Sequence, residues 1–121
     1  MSELSFSLEN VVVGPWVRHV LPADFELRQI RASVETPAVA SMKLRDKIGD
    51  QSTVNAFQVV ITVDGVSILT DDALIFFYDT WWKLCTSFRD GKPVMVPADS
   101  VLGVDITGIP QDATGLRLSL R

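Results

Sequence analysis

The residues able to do acid–base or nucleophilic chemistry are few, and their spacing keeps them apart. His19 is the sole histidine of 121 residues, which removes His-based triads and multi-histidine metal sites together. Beside Arg18 on an alternating stretch, it reads as a structural or surface residue. Cys85 is also single, so the chain has neither an internal disulfide nor a thiolate cluster. Between Leu84 and Thr86 it reads as a buried, inert thiol, with Lys83 the one basic neighbour that could lower its pKa. Asp71, Asp72, Asp79 and Asp90 supply carboxylates, yet no DxDxDG spacing or bidentate glutamate goes with them. Adjacent aspartates of this kind make turns or caps more often than calcium loops. An enzyme built on them would need carboxylates with perturbed pKa values converging in a cleft. The expectation is no catalytic residue, no metal and no cofactor.

The charge balance narrows the partners. Eleven Lys and Arg against fifteen Asp and Glu leave a net charge of −4. Counterion-driven binding of nucleic acid wants clustered cations, and here they are scattered. Only Lys43, Arg45 and Lys47 come close together, with Asp46 among them, and they read as a solvated loop or short helix. Apolar stretches such as Leu74 to Tyr78 fall far short of the ~20 residues that a bilayer span needs. The opening MSELSFSLEN has no basic or apolar leader pattern, so cytosolic synthesis is the simplest inference. Neither nucleic acid nor membrane is an expected partner.

The densest chemical signal is aromatic. Phe76, Phe77, Tyr78, Trp81, Trp82 and Phe88 crowd one stretch. Strand alternation sends about half of such a run to each face. One face can fill a core, at roughly 1.5–3 kcal/mol per fully buried large side chain. The other is left with exposed rings, which mark a subunit interface or a ligand platform. Phe76, Tyr78, Trp81, Trp82 and Phe88 are therefore the candidate interface or platform residues. Packing between subunits outweighs stacking on carbohydrate, which stays the alternative.

These side chains need elements to position them, and the dominant pattern is period two. Leu4, Phe6 and Leu8 alternate with Ser5, Ser7 and Glu9; Ile30, Ala32 and Val34 alternate with Arg31, Ser33 and Glu35. Phe57, Val59, Ile61 and Val63 form the strongest run, and Leu116, Leu118 and Leu120 alternate with Arg117, Ser119 and Arg121. Each reads as a strand with one face in a core and one in water. Asp64-Gly65 suits a tight type I′ hairpin turn, and Asp90-Gly91 suggests another. Gly108 to Asp112 divides the strand Val101–Ile106 from the terminal one, and Gly14-Pro15 marks a bulge or a change of sheet. Ala38 to Gly49 holds helix formers and a terminal glycine, so a short helix or a long loop is expected over 38–50. Thr70 to Cys85 fits both a helical and a strand spacing; strands on both sides of Asp79-Thr80 are favoured. With 47% apolar residues, the whole is expected to be one all-β domain over 1–121, an antiparallel two-sheet sandwich of jelly-roll-like form.

From about Leu21 onward, the order of these signals resembles small β-sandwich structural domains of tailed-bacteriophage virion proteins, of the decoration, collar or fibre-associated type. The segments that carry the resemblance are LPADFELRQIRASVETP, then FQVVITVDGVSIL, then SVLGVDITGI and GLRLSL joined by PQDAT. Gly115 to Leu120 is the most typical portion, whereas the length of Ala38–Ser52 and the aromatic TWWKLC depart from the pattern. The resemblance implies a non-enzymatic structural protein located in the virion. It implies self-association, with a homotrimer compatible, and docking on other virion proteins.

Overall fold

The computed structural model describes residues 3–38, 56–71, 73–77, 79–89 and 93–121. The expected helix or loop over 38–50, the cluster Lys43, Arg45 and Lys47, and the Asp90-Gly91 turn lie outside the described residues, Ala38 excepted. Asp72 and Tyr78 lie outside them too.

Among the described residues there is no helix. The alternating runs become β1 (Leu4–Asn10), β4 (Ile30–Ser33), β5 (Phe57–Val63) and β11 (Thr114–Leu120). Between them stand β2 (Gly14–Val20), β3 (Phe25–Leu27), β6 (Val66–Ser67), β7 (Ile75–Phe76), β8 (Trp82–Cys85), β9 (Val94–Val96) and β10 (Val101–Gly108). The expected strands on both sides of Asp79-Thr80 are β7 and β8, and they belong to different sheets.

The pairing follows one rule. The first strand pairs with the last, β2 with β10, β3 with β9, β4 with β8 and β5 with β7, every pair antiparallel. The chain is thus a single long hairpin with its tip near β6. Two further seams, β11 to β4 and β10 to β5, roll that hairpin closed. The result is a sheet in the order β1-β11-β4-β8 facing a sheet in the order β2-β10-β5-β6. This nested order is that of a jelly roll, the double-sheet solution to burying both inner faces of an all-β chain.

Leu116, Leu118, Leu120, Ile30 and Ala32 line one inner face, and Phe57, Val59, Ile61, Val104 and Ile106 line the other, all essentially inaccessible to solvent. The short ribbon of β3 and β9 adds Phe25, Leu27 and Val96 to the same core. The crossing from β1 to β2 through Val11–Val13 is the expected change of sheet at Gly14, and the expected bulge is present as well. The register with β10 runs Val104 to Val17 and then Asp105 to Pro15, which leaves Trp16 as the extra residue. The Trp16 ring meets Phe6 of β1 edge-on at 6.5 Å, and His19 meets the same phenylalanine at 6.0 Å. His19 is therefore a packing residue between the two sheets, as a lone histidine on a strand suggested.

The Asp64-Gly65 pair makes the tip turn with φ of 51° and 85°, the two left-handed residues of a type I′ hairpin. Asp64 also ties the tip to β10. Its Oδ1 accepts the Val101 N–H at 2.8 Å, and its own N–H donates to the Val101 carbonyl at 2.9 Å. Replacing Asp64 by Ala removes a charged acceptor and places a Cβ-bearing residue without a local hydrogen bond at positive φ. A loss of about 2 kcal/mol in urea unfolding is expected, with Asp64→Asn retaining most of it. Equal stability of Asp64→Ala and the parent would show that the tip is not anchored this way.

Candidate functional site

The aromatic stretch divides between core and surface at the crossing from one sheet to the other. Phe76, on β7, stacks on Phe57 across the β5–β7 pair, with ring centroids 5.1 Å apart and planes within 5°. It is completely buried. Phe88 is also buried, where its backbone bridges Leu69. These two residues are core, which corrects their assignment to a surface platform. The chain returns towards β5 through a turn that places Leu74 at φ 54°, and the pairing with β5 sets Phe76 opposite the buried Phe57. Tyr78 lies outside the described residues.

What remains outside is a hydrophobic edge. Phe77 is 43% exposed, Trp81 55%, Trp82 57% and Leu84 48%. Three of the four lie on or next to β8, which ends its sheet among the described residues with β4 as its sheet partner. The Trp81 carbonyl accepts the Val34 N–H at 2.9 Å, which continues the β4–β8 seam past Trp82. Trp82 and Leu84 point away from the core, and Cys85, one step on, points in. An edge strand that carries large apolar side chains is a surface suited to receive another chain.

Beyond β8 the same outer face turns polar. The register sets Ser7, Arg117, Ser33 and Trp82 in one row across four strands, and Ser5, Ser119, Arg31 and Leu84 in the next. Ser5, Ser7, Arg31, Ser33, Arg117 and Ser119 line a shallow trough of about 310 Å³. It continues past Arg117 and Ser33 to Glu35 and Gly115. A Cβ on Gly115 would come within 2.4 Å of the Glu35 Cβ, so only glycine admits Glu35 there. At the opposite end the Glu3 carboxylate accepts the Ser119 hydroxyl at 2.6 Å and lies 3.5 Å from Arg121. That hydrogen bond, reinforced by the Arg121 charge, holds Glu3 below the usual carboxylate range. A depressed folded value means that Glu3 favours the fold above the ordinary carboxylate pKa, and that this contribution fades as pH falls through the lowered one.

Arg31 lies over the Trp82 ring, 5.6 Å from its centroid, a cation–π contact that braces the guanidinium. Neither Arg31 nor Arg117 has a carboxylate partner among the described residues, whereas Arg18, Arg28, Arg89 and Arg121 each have one. The strand pattern foretold that these side chains face outward. It did not foretell that three strands distant in sequence would gather them. The signal was present as Arg31-Ala32-Ser33 and Arg117-Leu118-Ser119, one R-x-S motif repeated. Paired antiparallel, each arginine falls opposite the other strand's serine.

Of the candidate acids, Asp71 and Asp79 are among the described residues. Asp71 pairs with Arg89 at 3.1 Å, and its carbonyl accepts the Gln58 amide N–H, which ties the turn before β7 to β5. Asp79 sits apart in the link to β8. Among the described residues no group of three or more His, Cys, Asp or Glu side chains could hold a metal ion. The Cys85 thiol is buried, its pKa is pushed up by desolvation, and its S–H donates to the Ser87 carbonyl at 3.1 Å. No family model, no curated protein and no solved structure matches the chain.

Two measurements check these placements. Phe76→Ala opens a cavity against Phe57 and is expected to cost about 3–5 kcal/mol in chemical denaturation; a near-neutral result would return Phe76 to the surface. Cys85 is expected to resist an aromatic disulfide reagent in the folded protein and to react completely in denaturant. Rapid labelling without unfolding would contradict its burial.

Proposed function

We propose that the chain is a non-enzymatic structural domain of a bacteriophage virion, of the head-decoration, collar or tail-fibre-associated type. It acts by forming a homo-oligomer and docking on other virion proteins. The observation that carries this reading is the edge of Phe77, Trp81, Trp82 and Leu84 on and beside β8, large apolar side chains left in water at the border of a sheet. Tryptophan is enriched among residues that dominate binding energy once an interface excludes water. A second copy or another particle protein seated on this edge would cover the rings and take water away from them. The jelly roll supports the reading by analogy, since viral capsid domains and lectins use that architecture. The resemblance of the strand series to phage structural domains points the same way.

In this reading the mechanism is passive. Surface complementarity does the work, a trimer is compatible with one apolar edge per subunit, and no residue performs chemistry. Sedimentation analysis of the purified chain is expected to show a concentration-dependent oligomer. The double substitution Trp81→Ser and Leu84→Ser is expected to weaken self-association by at least about tenfold, because a central interface tryptophan typically contributes about 2 kcal/mol or more. A parent chain that stays monomeric up to millimolar concentration, or a variant that associates as well as the parent, would rule out this edge as the contact.

A further inference from the structure

We propose that the trough on the outer face of the β1-β11-β4-β8 sheet is a binding site for an acidic oligosaccharide, one whose sugar rings carry carboxylate or sulfate groups. The site adjoins the β8 edge at Trp82 but does not depend on the assembly reading. It is built from Ser5 and Ser7 of β1, Arg31 and Ser33 of β4, and Arg117 and Ser119 of β11.

The first argument is charge. Arg31 and Arg117 are diagonal neighbours on adjacent strands, because Arg31 pairs with Ser119 and Arg117 with Ser33. Diagonal cross-strand neighbours lie about 7–8 Å apart, within reach for long side chains, and like charges so placed repel. Sheet surfaces ordinarily interleave acids to relieve this, yet neither guanidinium has a carboxylate partner among the described residues. In a chain of net charge −4, an uncompensated arginine pair inside a depression is a standing site for an anionic group. The Trp82 ring holds Arg31 towards one bank without neutralising it.

The second argument is the lining around the pair. Ser7 and Ser33 hold hydroxyls without a side-chain partner among the described residues, while Ser5 and Ser119 are turned to Glu3 and keep lone pairs free. The depression ends in carboxylates, Glu3 at one end and Glu35 at the other. The lining thus carries four serine hydroxyls and two guanidinium groups beside Phe6 and Leu118, with the arginines between the two carboxylates. A saccharide presents hydroxyls that both donate and accept, and an acidic one adds an anion for the centre. The open form and the run from Ser119 to Gly115 along β11, about 13 Å at the strand rise, fit a linear chain crossing the sheet better than an enclosed small molecule.

Titration calorimetry of the full chain at low salt, with purified oligogalacturonate and a sulfated dextran oligomer as probes, tests the proposal. At least one acidic oligomer is expected to bind, its methyl-esterified or unsulfated counterpart at least about tenfold more weakly, with affinity falling as salt is added. Arg117→Gln and Arg31→Gln should each lower affinity about tenfold or more, with a melting temperature unchanged or raised because a like-charge neighbour is gone. Trp81→Ser, which disturbs the β8 edge alone, should leave saccharide affinity intact, so loss of assembly and loss of binding are read separately. The proposal is overturned if neither acidic oligomer binds, or if the neutral counterparts bind equally. It is also overturned if oligothymidylate or polyglutamate binds as tightly as the saccharides, or if both arginine variants bind like the parent.

Discussion

Antiparallel pairing of β1 with β11 closes the structure, and most other features depend on the seams that this closure permits. Strands from the two ends of the described chain lie side by side, with Leu4 opposite Leu120 and Leu8 opposite Leu116. Because the hairpin is rolled as well as closed, β10 and β11 each bond on both sides, β10 to β2 and β5, β11 to β1 and β4. These two strands carry many of the most deeply buried side chains, among them Val104, Leu116 and Leu120. Nearly all the pairings join residues far apart in sequence, so the loop-closure entropy of each must be met before its contacts form. A fold of this kind gains little from any strand alone and much from the rolled whole.

That dependence explains what could be read from the sequence. Local alternation is a property of the strand itself, so β1, β4, β5 and β11 were legible from their leucines, valines and isoleucines. The Asp64-Gly65 turn was legible because its two left-handed residues are a local chemical demand. The burial of Cys85 followed from its apolar neighbourhood. Pairing partners were not legible, since nothing in Arg31-Ala32-Ser33 names Arg117-Leu118-Ser119 as its neighbour. The aromatic stretch failed for a different reason. It leaves one sheet at β7 and enters the other at β8, so a single phase of alternation does not run through it. In one continuous strand Phe76, Trp82 and Phe88 would share a face, whereas here Phe76 and Phe88 are buried and Trp82 is exposed.

The two outer surfaces differ in what they offer water. On the β8 edge, large apolar rings stand in water, and the approach of another chain would relieve them. On the trough, the polar groups are individually content with water, but the arginine pair has no carboxylate partner among the described residues. The first surface is short of a cover and the second of a counter-charge. Trp82 stands between them, at the end of the row that begins with Ser7 and beneath the Arg31 guanidinium.

The alternation that builds the core also builds the trough. In Leu116-Arg117-Leu118-Ser119-Leu120, every leucine is buried, and the residues between them form the floor on the other side of the sheet. A slip of one residue would exchange the two sets, setting Arg117 and Ser119 into hydrocarbon and three leucines into water. Such a slip is prohibitive because the buried leucines hold the register. The cross-strand placement of Arg31 and Arg117 is therefore as firm as the core beneath it, although neither side chain packs into that core. Surface chemistry on this scaffold needs no buried polar network to position it: the hydrophobic face of each strand sets the geometry of the opposite face.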